Sequence, residues 1–160
     1  MARTPDLSKV KLLTPEALLL EEGRELHEYL SEARSFLLYY KWCKKILDEY
    51  LGIFVPGIIG VFLFKIVPTG NNVDEWVWVI VGDIPPAYLT CELCPNPTTA
   101  LDGYIGAMSD WVNAASKGES VANLIPVNVP ATPGNADLLR RRLAFLNKKI
   151  LSVHMDDLTG

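Results

Sequence analysis

"IIGVFLFKIVPTGNNVDEWVWVIVGD", residues 58–83, holds two runs rich in β-branched and aromatic residues on either side of a polar link. Such runs favour extended backbone, and the glycine and asparagines of "TGNN" favour a reversal, so the stretch predicts a β-hairpin with strands over 58–67 and 75–82. Successive side chains of a strand point to opposite faces. Trp76, Trp78 and Ile80 therefore face one way, and Val77, Val79 and Val81 the other. Both sets are apolar. The strand is expected to be covered on each side, either by helices on both or by helices on one and a second chain on the other. The uncharged run from Leu51 to Phe64 is shorter than the roughly 18–20 residues a membrane-spanning helix needs, and Gly52, Pro56, Gly57 and Gly60 punctuate it. It reads as buried strand.

Outward from the hairpin the apolar period becomes helical. Upstream, Leu26, Leu30, Ala33, Leu37, Tyr40, Cys43, Leu47 and Tyr50 recur at spacings of three and four, predicting one long helix over 24–50 that Gly52 ends. A short helix over 14–22 precedes it, with Thr14 as cap, Pro15 in the first turn and Gly23 as stop. Downstream, a helix over 97–117 starts at Asn96 or Thr98 and has Leu101, Tyr104, Ile105, Met108, Trp111, Val112 and Ala115 as its apolar stripe. The last helix, over 135–152, is capped by Asn135 and buries Leu139, Leu143, Leu146 and Ile150. Between them the prolines of "VANLIPVNVPATPGNA" keep the chain extended, with room for a short edge strand over 124–129. The expected architecture is a single α+β domain over 1–160: a small antiparallel sheet built round the 58–67/75–82 hairpin and packed by three or more helices. Residues 1–13 are read as a loose arm and 154–160 as a frayed tail.

A chain of 160 residues can bury a sizeable core without staples. The N-terminus has no apolar export region, and three cysteines are an odd number, so a reduced cytoplasmic setting is expected. Charge is uneven. Residues 1–50 carry eight basic and nine acidic side chains, 51–134 two and seven, and 135–160 five and three, which gives −1, −5 and +2 and sums to the net −4. The acidic middle argues against nucleic acid as a partner, since phosphate binding needs a basic footprint.

The paired cysteines of "TCELCPNP", Cys91 and Cys94, are candidate metal ligands or a redox dithiol. A structural zinc site needs four ligands, and no second pair is present. On the predicted 24–50 helix, His27 and Cys43 stand sixteen residues apart. That is about 24 Å, too far to share an ion. A set of Cys91, Cys94, Cys43 and one histidine stays open. A redox pair usually opens its helix, whereas Pro95, Asn96 and Pro97 intervene here. The favoured reading is two ordinary thiols, with no metal and no cofactor. His27 lies in a charged run and His154 in the tail. Nucleophile-elbow and phosphate-loop patterns do not occur. Asp83 is the best single acid, able to project from a sheet edge into a cleft that also holds Tyr88, although an Asx-type turn before Pro85 and Pro86 explains it more simply. Arg140 and Arg141, with Arg142, Lys148 and Lys149, give the last helix a basic face suited to an acidic partner, though the helix dipole alone favours the two lysines. Trp76 and Trp78 are candidate binding residues if an aromatic face is exposed.

The string "VDEWVWVIVGDIPPAYL", read with "YYKWCKKILDEYLG" and "IPVNVPATPGNADLLRRRLAFLNKKIL", resembles a family of small bacterial proteins of unknown function. These carry a tryptophan-rich strand running into Gly-Asp-(Leu or Ile)-Pro-Pro-Ala-Tyr-Leu, here Gly82 to Leu89, and the likeness spans residues 36–151. It implies a bacterial, cytoplasmic α+β protein and assigns no activity. Small proteins of this kind include toxin-binding immunity proteins, an analogy only. The expected function is a non-catalytic protein-binding or self-associating module, with a protein partner or a second copy and neither nucleic acid nor membrane. The alternatives are a small enzyme with a cleft near Asp83 and Tyr88, or a dithiol or metal protein.

Overall fold

The computed structural model describes residues 4–16, 23–70, 75–92 and 94–159. After a 3-10 turn at Leu7–Lys9 the elements are β1 Lys11–Leu12, α1 Arg24–Leu38, β2 Cys43–Val55, β3 Ile59–Pro68, β4 Trp76–Gly82, β5 Ala87–Thr90, α2 Pro97–Ser116 and α3 Pro133–Phe145. A π-helical turn Leu146–Ile150, a 3-10 turn Leu151–His154 and a one-turn helix α4, Asp156–Thr159, complete the chain. The strands form an antiparallel meander in the order β1-β2-β3-β4-β5. It is an α+β fold, and the predicted 58–67/75–82 hairpin is its β3–β4 pair; the link residues 71–74 lie outside the described residues.

The two apolar sides of β4 are both buried. Val77, Val79 and Val81 join Phe62, Phe64 and Ile66 under α1, whose stripe is Leu26, Leu30, Ala33 and Leu37. Trp76, Trp78 and Ile80 join Val61 and Leu63 on the other side, under Leu101, Tyr104, Met108 and Trp111 of α2, with Leu139 and Leu143 of α3 in the same cluster. Each large side chain removed from water contributes about 1.5–3 kcal/mol, so the double coverage of the sheet is the main source of stability. Arg34 of α1 adds a two-pronged ion pair to Glu49 of β2, through Nε to Oε2 and Nη2 to Oε1.

The predicted helix over 24–50 is corrected: α1 stops at Leu38, and Cys43–Val55 is the longest strand. The pairing of β2 with β3 slips between Cys43 and Lys45, between Ile46 and Asp48, and between Leu51 and Ile53. Each irregularity inserts a residue into the strict alternation, and a strand with repeated bulges acquires a spacing that mimics a helix. Gly52 does not end an element. It sits inside β2 where an added Cβ would lie 2.8 Å from Pro97, so glycine lets the strand pass the start of α2. The predicted 14–22 helix begins with a helical Pro15–Glu16. Residues 17–22 lie outside the described residues.

Of the two expected caps, Asn96 and Thr98, Asn96 caps α2: its Oδ1 accepts from Thr99 N at 2.8 Å and Thr99 Oγ1 accepts from Asn96 N at 3.1 Å, a reciprocal capping box. The last helix starts earlier than predicted. Thr132 is its cap, accepting from Asn135 N at 3.1 Å, because Pro133 has no N–H and fits the first helical position. Asn135 donates from Nδ2 to Pro130 O instead. No strand forms over 124–129, where Pro126 and Pro130 cannot donate and Ile125 and Val127 pack against the core.

The N-terminal arm and the tail are also tied down. Asp6 N donates to Pro95 O at 2.8 Å, Leu13 N to Glu49 O at 2.8 Å, and Leu13 is buried. In the tail Leu158 packs against the α2-side core, and Asn96 Nδ2 donates to Asp157 O at 3.0 Å. Both segments carry an apolar anchor and meet at the start of α2. Among the described residues no helix is long and apolar enough to cross a membrane.

Candidate functional site

The strand β4 ends at Gly82, whose φ of +139° is open to glycine but strained for other residues. An added Cβ would lie 2.3 Å from Ile58 O, so the backbones of the two loops touch, and Asp83 N donates to Ile58 O at 3.0 Å. From this contact the loop 82–86 runs out toward α3. Tyr104 of α2 holds it from beneath, donating its hydroxyl to Pro85 O at 2.7 Å. Burial pushes the Tyr104 phenol far above its usual pKa, so it stays a neutral donor.

A groove lies between these loops and α3. It has two basins. One, about 320 Å³, is lined by Asp83, Ile84, Asn128, Val129, Leu138 and Arg142 among others. The second, about 290 Å³, is lined by Gly57, Ile58, Arg141, Phe145 and Leu146, and shares Asp83, Ile84 and Arg142 with the first. The Asp83–Arg142 pair therefore stands between the basins. Its Oδ2 to Nε separation is 3.4 Å, and the side chains are 68% and 43% exposed. Such a pair is weak and easily exchanged. Val129, Leu138 and Phe145 leave 42%, 52% and 43% of their surface in solvent, three large apolar residues gathered along one trough. Arg141 lines the second basin and pairs with Asp137 at 2.9 Å, whereas Arg140, also paired with Asp137, turns to the α2 side, where it lines a separate cavity with Ile105 and Asn113. Among the described residues lining the two basins, two arginines, Arg141 and Arg142, meet one carboxylate, Asp83.

The expected Asx-type role of Asp83 gives way to this ion pair with Arg142. The expected cleft joining Asp83 and Tyr88 does not form. Tyr88 pairs with Val79 across the β4–β5 ladder and packs on the α1 face, with ring centroids 5.0 Å from both Tyr40 and Trp42, whereas Asp83 lies beyond the strand end toward α3. Tyr88 lines a separate cavity of about 350 Å³ with Phe36, Tyr40 and Ile125. Burial, with Tyr88 and Tyr39 beside it, raises the pKa of the Tyr40 phenol. Trp76 and Trp78 are core residues rather than surface ones, and Trp78 Nε1 donates to Cys94 O at 2.6 Å.

The cysteines are separated by the sheet. Cys43 packs on the α1 side, and Cys91 and Cys94 on the α2 side, so Cys43 cannot join the pair on one ion. Burial and, less strongly, Asp102 raise the Cys94 thiol above its usual pKa, opposing the thiolate that redox chemistry needs. Among the described residues no group of three or more histidine, cysteine, aspartate or glutamate side chains gathers to hold a metal.

Of the residues expected from sequence, Asp83 and Arg141 line the groove and Arg140 does not, while Leu138, Phe145 and Val129 line it without having been singled out. One signal was present: Leu138 and Phe145 lie off the buried seam of Leu139, Leu143 and Leu146, beside three arginines. No protein family, no curated protein and no solved structure matches this chain.

Proposed function

We propose that this chain is a non-catalytic protein-binding module whose binding surface is the groove between α3 and the loops 57–58, 82–85 and 128–129. The observation that carries the reading is the clustering of Val129, Leu138 and Phe145, exposed and apolar, beside Arg141 and Arg142. Concave apolar surface with a few convergent polar groups is what protein recognition sites offer. Among the described residues that line the two basins, Asp83 is the one carboxylate and no histidine, cysteine or serine joins it. That composition favours binding over acid–base or nucleophilic chemistry. A bacterial cytoplasmic setting forms part of the proposal, supported by the buried thiols and the resemblance at Gly82–Leu89.

Photo-crosslinking tests it. p-Benzoylphenylalanine at position 145 is expected to yield a discrete crosslinked protein band in an extract of the source cell, and the same group at exposed His27 is not. Equal labelling from both positions, or none, would count against the groove. Light scattering of the purified chain separates a foreign partner from a second copy.

A further inference from the structure

The shape and charge of the groove point to a narrower class of occupant, resting on the protein-binding reading above. Leu138 lines the first basin, Phe145 the second, and Arg142 the space between them. Along a helix, rising 1.5 Å per residue, Leu138 and Phe145 are about 10 Å apart. An extended segment turns alternate side chains to one side, so its positions i, i+2 and i+4 span about 13 Å. Those three side chains match two apolar basins and a cation between them.

We infer that the groove takes a short extended segment of a partner protein with the pattern apolar-x-acidic-x-apolar, its central carboxylate replacing that of Asp83 on Arg142. Charge complementarity carries the choice of acid. Among the described residues that line the two basins, Arg141 and Arg142 stand against one carboxylate, Asp83, on a chain whose net charge is −4. Asp83 is held at 3.4 Å and is 68% exposed, an internal stand-in that a better-placed carboxylate can displace. A carboxylate fits the planar fork of a guanidinium in two-pronged fashion, and Arg142 meets Asp83 through Nε alone. Flat polyanion surfaces fit less well, because the apolar side chains lie in a trough with an acidic residue in it.

Panning a random seven-residue phage library on the full chain tests this. Enriched peptides are expected to carry Asp or Glu flanked by apolar residues two positions away on each side. In fluorescence anisotropy, the consensus peptide should bind at least tenfold more weakly to Arg142→Glu, Arg142→Gln and Leu138→Glu, and several-fold more tightly to Asp83→Asn. Circular dichroism checks that each variant is folded. Enrichment of other sequences, affinity indifferent to Arg142, or weaker binding by Asp83→Asn overturns the inference and leaves the protein-binding reading standing. No enrichment over an unrelated protein overturns both. Binding to phosphatidylserine vesicles or duplex DNA that Arg142→Glu abolishes also overturns it, in favour of a polyanion site.

Discussion

Tyr104→Phe removes one oxygen atom and nothing else, at the point where the fold holds the candidate site. The Tyr104 hydroxyl donates to Pro85 O at 2.7 Å, and the tyrosine has no exposed surface. Phenylalanine fills the ring's space without a cavity, so the cost is that of one hydrogen bond and an acceptor left without its donor. Loss of such a bond, with a part-buried acceptor left behind, costs about 1–2 kcal/mol. For a chain of this length that corresponds to a fall in Tm of roughly 2–8 °C. Thermal denaturation followed by far-ultraviolet circular dichroism measures it. Because the bond anchors the loop that carries Asp83, the variant should also speed amide hydrogen exchange at 82–86 while leaving β3 as protected as before. A Tm within about 1 °C of the parent, with unchanged exchange in the loop, would refute the claim that this hydroxyl positions the groove.

Gly82→Ala should destabilise by more than about 3 kcal/mol, since strained backbone and a 2.3 Å approach to Ile58 O act together; urea denaturation reads it, and a loss under 1 kcal/mol, on the order expected for an ordinary surface change, would show that the two loops are not in contact. Burial raises the Tyr104, Tyr40, Tyr29 and Tyr50 phenols above their unfolded pKa, so the stability they supply is complete below about pH 10 and is lost as pH climbs past it. Absorbance at 295 nm should therefore show Tyr104 ionising only with alkaline unfolding, and early ionisation of every tyrosine in the folded protein would contradict the burial. Cys43 and Cys94, buried and with raised thiol pKa, should react with a disulfide reagent at least tenfold more slowly in the native protein than in denaturant. Rapid native labelling of either would reopen a chemical role for it.

The hairpin was legible because its information is local. Alternation along Trp76–Val81 assigns each side chain a face without reference to any other part of the chain. Asn96 was legible for the same reason, as a cap acts within one turn. The strand Cys43–Val55 was not, since its bulges are set by its partner β3 and turn a period of two into spacings of three and four. Tyr88 and Asp83, five residues apart in sequence, were expected to converge, and the intervening strand start at Ala87 sends them to different sides of the fold.

By itself the sequence determined that an apolar, two-faced strand pair exists, where α2 begins, and that basic charge gathers after residue 135. Only the tertiary structure decided that residues 43–55 extend the sheet and that Leu138, Arg142 and Phe145 face the loops 57–58 and 82–85 across a groove. The physical reason is range: propensity and periodicity act over a few residues, whereas bulge register and groove walls depend on contacts between segments dozens of residues apart.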